Sequence, residues 1–392
     1  MGRISADAAF IQRPPTKDTP IPAPAGGYRH EKERPGTLGE RTAGQLRRLA
    51  AVVGLDPDDA DAYADALLTL LGPVAQRPLD LPPPSATFLS DDHTPVEFSL
   101  SFTPGAAPVL RVLLDPGCGA GSLARAGRVG LEAVRAMARR WNFGTDRLEE
   151  LADLFLPSTV EGPLALWCAL ELRPGGTPQV KVYLNPAAGG PEAAAATVRE
   201  ALHRLGHGKA YDALPSADRP LFFALDLGDW AEPRVKVYLA HHGLTAAEAG
   251  GLSRMAPGPA PAEIEEFFTL AGGMDARLDR RPGQSCHAFT ETATGLPSGF
   301  TLYVPVREHV AHDGEALERA RTLLTRYGID PAPLARSLSA VTTRRLTDGV
   351  GLVAYLALAH QHGRPPRVTV YVSSECYRIR PPAAVPVTET VG

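Results

Sequence analysis

A short amphipathic strand returns five times along this 392-residue sequence. Its copies read VLRVLLDP (109–116), QVKVYLNP (179–186), RVKVYLAHH (234–242), GFTLYVPV (299–306) and RVTVYVSSE (367–375). Strand side chains alternate between two faces, so Val235, Val237 and Leu239 share one face while Arg234, Lys236 and Tyr238 share the other. One register position is filled by Arg111, Lys181, Lys236, Thr301 and Thr369, and two residues later stand Leu113, Tyr183, Tyr238, Tyr303 and Tyr371. Each copy follows a second strand-like run, at 95–102, 163–172, 221–227, 286–293 and 352–360. Turn-rich segments such as RPGGTP, GDWAEP and QHGRPP join the members of each pair, so the pairs read as hairpins. Five hairpins make ten strands.

Between hairpins the apolar period changes to that of a helix. Leu131, Val134, Ala138 and Trp141 form one stripe, and Leu148, Leu151, Ala152 and Phe155 another. Paired helical segments recur at 191–205 with 208–216, at 245–255 with 261–271, and at 313–328 with 331–346. Ahead of the first hairpin, Thr37 and Glu40 make a capping-box pattern, and DDADAYADALLTLLG supplies a second helix. The unit is helix–helix–strand–strand, repeated five times, and the fold class is α+β. Ten antiparallel strands with about ten helices to cover them predict a closed sheet ringed by helices, because closure removes the edges an open sheet must protect. The apolar faces then pack outward, and the Arg, Lys and Tyr faces line a polar lumen wide enough for ligands. One barrel domain is expected over 37–380, after a flexible proline-rich leader (1–36) and before a tail (381–392).

A net charge of −4 and a pI near 6.3 give no general attraction to nucleic acid or to an anionic membrane. Cys118, Cys168, Cys286 and Cys376 form neither a CxxC pair nor a His/Cys cluster, so neither zinc nor a disulfide framework is indicated. With no apolar run of about 20 residues and no signal-peptide core, the expectation is a soluble cytoplasmic protein.

Arg111, Lys181, Arg234, Lys236 and Arg367 would bring five positive charges to one chamber. Unpaired buried charges are costly, so the expected guest is a multiply charged anion, and a diphosphate suits guanidinium forks and ammonium groups. Tyr183, Tyr238, Tyr303 and Tyr371 can donate hydrogen bonds to it, and their ring faces can stabilise a cation. On the first hairpin, HTPVEFSLSF turns Glu97, Ser99 and Ser101 inward, which makes Glu97 the single acid expected on the lumen face; its plain alternative role is as an ion-pair partner. His287, on the strand opening the fourth hairpin, reads equally as a base in the chamber or as a hydrogen-bonded structural histidine.

The fivefold pattern, with DDHTPVEFS, VKVYLNP, RVKVYL and RVTVYV, resembles the indole prenyltransferases of the dimethylallyltryptophan synthase family, in particular its bacterial branch. The resemblance spans roughly residues 37 to 378 and implies the αββα prenyltransferase barrel. It implies that Glu97 accepts the indole N–H, that Arg111 and the Lys-x-Tyr and Arg-x-Lys-x-Tyr strands hold the diphosphate, and that main-chain groups of Phe88 and Leu89 hold the amino-acid part of tryptophan. The implied activity is transfer of a dimethylallyl group from dimethylallyl diphosphate to L-tryptophan through an allylic cation, with C6 of the indole slightly favoured. Alternatives are another indole or phenol acceptor, or a non-catalytic barrel binding an anion. No metal or other cofactor is expected, since the cations can replace a metal's charge, and the protein is expected to be a monomer or weak homodimer.

Three positions depart from the fungal pattern. Thr301 stands where a glutamine is common, Trp167 or Cys168 where a lysine occurs, and Leu221 or Phe222 where an arginine occurs. The two lost cations point to a different acceptor or to a different way of holding tryptophan, and Trp167, if inward, narrows the acceptor site. DPDDADA (56–62) lacks DDxxD spacing and sits at an expected helix N-terminus, where acids favour the dipole. GCGAGS (117–122) lacks the βαβ context of a dinucleotide loop, and His241–His242 lack a third metal ligand.

Overall fold

The computed structural model describes residues 36–382; the proposed leader and tail lie almost wholly outside that range. The ten strands are β1 (Val96–Phe102), β2 (Val109–Leu114), β3 (Leu166–Glu171), β4 (Gln179–Leu184), β5 (Arg219–Leu227), β6 (Arg234–His241), β7 (Gly283–Phe289), β8 (Gly299–Val304), β9 (Val353–Gln361) and β10 (Arg364–Ser373). Neighbours pair antiparallel in sequence order, and β1 closes the sheet on β10 through the registers Ser99↔Tyr371 and Ser101↔Thr369. The sheet is a closed barrel with no free edge.

Period-two alternation sorts the side chains as expected. Phe98, Leu100 and Phe102, like Val180, Val182 and Leu184, are buried on the outer face in one core with the helices. Thr37 caps α1 (Leu38–Val53) through a complete capping box: its N–H donates to Glu40 Oε2 (2.8 Å), and the Glu40 N–H donates to Thr37 Oγ1 (3.2 Å). Asp56 caps α2 (Pro57–Leu71), and Asp58 and Asp59 lie in its first turn. The amphipathic α3 (Leu123–Trp141) is capped by Ser122, the last residue of the GCGAGS loop.

One member of several helix pairs is shorter than its periodicity suggests. Two four-residue turns, α4 (Asp146–Glu149) and α5 (Ala152–Phe155), replace one helix. After α6 (Ala194–Arg204) the partner shrinks to a single 3-10 turn at Tyr211–Ala213, in a stretch flanked by Gly206, Gly208 and Pro215. Gly250 and Gly251 end α7 (Ala246–Gly250) early, whereas α8 (Pro261–Gly272), α9 (Asp313–Arg326) and α10 (Ala332–Val341) are regular. Among the described residues no helix is long and apolar enough to cross a membrane.

The seam where the last strand meets the first is tied from outside. Gln45 of α1 donates to the carbonyls of Val341 (3.1 Å) and Ser374 (2.8 Å). Arg344 bridges Asp313 (2.5 Å) and Glu375 (2.7 Å) in a buried triad, and Asp313 Oδ1 also accepts the N–H groups of Gly351 and Val353.

Candidate active site

All five hairpin turns lie at one end of the barrel, so strand direction stratifies the lumen. Nearest the turns come Ser101, Arg111, Glu171, Lys181, Asp226, Arg234, Lys236 and Arg367. A tyrosine level follows, and Glu97, Trp167, Phe222 and Tyr355 stand at the far end.

The floor is cationic but not purely so. The single-acid expectation is overturned: Glu171 and Asp226 also face inward, registered against Arg111 and Lys181. Arg111 donates to Glu171 Oε2 from Nε (2.9 Å) and Nη2 (2.6 Å), and from Nη1 to the Ser101 hydroxyl. Burial opposes the Glu171 charge, yet Arg111 and Arg173 hold its carboxyl down at about 2. Lys181 Nζ lies 3.2 Å from Asp226 Oδ1. Burial works against the Lys181 charge and Asp226 more than offsets it, whereas burial and the Lys181 ammonium together push Lys236 down. Arg234 lies beside Asp226, its guanidinium 4.4 Å from the Trp230 ring centre. Arg367 is half-buried with its Nε enclosed and unpaired, and burial and Arg111 press its basicity down. Five basic groups against two acids leave the floor net positive even with Lys236 pushed down, which suits a diphosphate ester.

Above the floor runs an unbroken tyrosine belt. Tyr183–Tyr238, Tyr238–Tyr303 and Tyr303–Tyr371 ring centres are 5.7, 5.9 and 5.7 Å apart. Burial raises the pKa of Tyr238, Tyr303 and Tyr371, so their hydroxyls stay protonated as donors. Aromatic faces at this level can hold an allylic cation away from water.

Glu97 is buried, and desolvation lifts its carboxyl to about 8 against the opposing pull of Arg307. Glu97 is therefore a neutral acid at pH 7. Trp167 points inward beside Tyr183, packs with Leu89 and Leu164, and lies 5.6 Å from the Phe222 ring centre. Its indole nitrogen faces Asp115 without a formed hydrogen bond. The loop before β1 is fixed by its own acids. Thr87 donates to Asp115 (2.8 Å), and Asp92 accepts from Ser90 (2.7 Å), Thr94 (2.7 Å) and the Tyr377 N–H (3.0 Å). Leu89 is thereby held at the lumen wall, its N–H only 3.4 Å from Thr87 Oγ1, while the Phe88 side chain is 48% exposed.

His287 is not in the chamber. Cys286 pairs with inward Tyr238 and Thr301, so parity turns His287 outward, registered with Val237 and Phe300. It contacts Ser285 Oγ (3.1 Å), and burial drives its pKa to about 3, so it stays neutral. The strand also starts at Gly283, three residues before its sequence-based start.

A group not foreseen in the sequence closes the far end. Arg281 Nη2 donates to Asp91 Oδ1 (2.9 Å), and Arg307 Nε lies 3.1 Å from Asp91 Oδ2, with its guanidinium 4.9 Å from the Tyr355 ring centre. Asp91 and Arg281 come from loops and Arg307 from the 3-10 turn Val306–Glu308, none of which hydrophobic periodicity describes.

An enzyme that parts an allylic group from its diphosphate must keep the cation dry until an aromatic ring meets it. These levels, in this order, are those of an aromatic prenyltransferase. The family model for tryptophan dimethylallyltransferase matches residues 40–255, more than half of the chain, and the chain belongs to that family. Its structure is similar to PriB in complex with product diphosphate (62% identity, 89% of this chain and 99% of that chain covered, TM-score 0.88). It is also similar to 5-dimethylallyl tryptophan synthase from Streptomyces coelicolor in complex with DMASPP and Trp (62% identity, 90% and 99% covered, TM-score 0.86). The 6-dimethylallyltryptophan synthase from Micromonospora olivasterospora, also in complex with DMASPP and Trp, is 41% identical (88% and 99% covered, TM-score 0.81). The chain is a tryptophan dimethylallyltransferase with the prenyltransferase barrel fold.

Proposed function

We propose that this enzyme transfers the dimethylallyl group of dimethylallyl diphosphate to a benzenoid carbon of L-tryptophan without a metal ion. One observation carries the reading: cationic floor, tyrosine belt and Glu97 share a single lumen in that vertical order. Arg111, Lys181, Arg234, Lys236 and Arg367 take up the charge that grows on the diphosphate as the allylic C–O bond breaks, a preorganised electrostatic stabilisation. Tyr183, Tyr238, Tyr303 and Tyr371 shield the cation. Glu97 accepts the indole N–H, which makes the ring more nucleophilic; the new C–C bond forms, and the displaced ring proton passes to water. Leu89 and Trp167 form the acceptor wall, with Phe88 contributing main-chain groups.

The sequence reading favours C6, and C5 is the position in the name of a relative more identical to this chain. Proton NMR of the product separates them. Incubation with dimethylallyl diphosphate and tryptophan in EDTA is expected to give a product heavier by one C5H8 unit; no product from any indole or phenol overturns the reading. We place the protein in the cytoplasm as a monomer or weak homodimer that binds no nucleic acid. Sedimentation of the full chain tests the oligomeric state.

A further inference from the structure

We propose that Arg281, Asp91 and Arg307 form a clamp for the α-carboxylate and α-ammonium of the acceptor, so that the enzyme selects a free amino acid. This rests on the tryptophan reading above and says how the head group is held. The strand residues at this end of the lumen include Glu97, Leu113, Trp167, Phe222, Gln284 and Tyr355, none of them a cation. A carboxylate entering here must find its partners on the loops.

The loops supply them in place. Arg307 lies over the ring of Tyr355, whose hydroxyl accepts from Gln284 (3.4 Å) and whose ring meets that of Tyr371 at the tyrosine belt (6.4 Å). Asp91 follows Leu89, part of the acceptor wall, by two residues, so one short loop carries both an apolar wall and a charged end. Arg281, Arg307 and Arg380 are linked by ion pairs to Asp91 and Glu308, three cations to two acids, which leaves one positive charge over. Arg307 is buried, yet its Nε has no hydrogen-bond partner of good geometry. The buried Arg344 triad shows the contrast, since its acids are filled by Arg344 and backbone N–H groups. An incomplete buried guanidinium with surplus charge is what a carboxylate completes. Asp91 can accept the ammonium of the same zwitterion.

Kinetics of the full-length enzyme with four acceptors test the clamp: L-tryptophan, tryptamine, indole-3-propionate and 3-methylindole. Arg281→Met is expected to raise KM roughly 10- to 100-fold for the two carboxylates, as expected for loss of a charge-assisted hydrogen bond. Its effect on tryptamine and 3-methylindole should be at least ten-fold smaller. Asp91→Asn should instead weaken the two amines, and Arg281→Lys should restore part of the carboxylate preference. Equal losses on all four acceptors, or an unchanged KM for tryptophan with Arg281→Met, overturn the clamp. Wild-type turnover of tryptophan tests the acceptor reading separately; conversion of 3-methylindole but not of tryptophan overturns both.

Discussion

Glu97 shows how one residue's environment sets its chemistry. A carboxyl raised to about 8 by burial is neutral in the free enzyme at pH 7 and ionises as pH rises. The ionised form is the stronger acceptor for an indole N–H, so kcat/KM for tryptophan should climb toward pH 8. Glu97→Gln should abolish that limb and lower turnover by roughly 10²-fold, the scale of lost acid–base assistance; near-normal rates would reduce Glu97 to an ion-pair partner. The same shift affects stability. Because the folded-state pKa lies above the ordinary 4.5, the fold favours the protonated form, and stability present below about 4.5 is lost as pH rises through about 8. Thermal melts of Glu97→Gln should match wild type at pH 4 and exceed it at pH 9, by a few kcal/mol at most at about 1.4 kcal/mol per unit. Trp167 acts by shape: Trp167→Ala should change product distribution or acceptor range more than donor affinity. An unchanged product pattern by proton NMR would remove it from the acceptor wall.

The hairpin is the element that carries the proposed donor site, and its acids make a prediction that its cations do not. Lys181→Ala and Lys236→Ala should each weaken binding of inorganic diphosphate in titration calorimetry. Asp226→Asn removes a counter-charge beside Lys181, so it should tighten diphosphate several-fold while lowering the melting temperature, because the two ammoniums then repel each other. Weaker binding would show that Asp226 orients the lysines more than it discharges them. The strands were legible because alternation is written in adjacent residues, and the parity that places Lys181 inward also places Glu171 and Asp226 inward. Those two acids are hard to see in sequence because each stands alone in an otherwise apolar run, LWCALEL and FFALDL. Parity also decides His287, once the strand's pairing partners are known. The clamp was not legible: Asp91, Arg281 and Arg307 are scattered through the sequence and meet only when the barrel closes. The shortened helices are illegible for a related reason, since apolar spacing marks a stripe but glycine and proline decide how far a helix runs.

At the scale of the whole molecule, the Arg344 triad ties the end of β10 to the starts of α9 and β9, beside the β1–β10 seam. Arg344→Met strands Asp313 and Glu375 as uncompensated buried acids and should cost about 3–5 kcal/mol; an unchanged denaturation midpoint would show that the seam does not depend on this triad. The same seam has a consequence during synthesis. β1 ends at Phe102, but its partner ends at Ser373, so the two meet only after a further 271 residues (373 − 102), about seven-tenths of the chain, have been made. At about 5–20 residues per second, that interval is on the order of 15–55 s. Throughout it the nascent sheet has an unpaired, largely apolar margin that no later contact yet covers. The ribosome-bound chain therefore keeps that margin exposed to pairing with other chains until its final hairpin emerges.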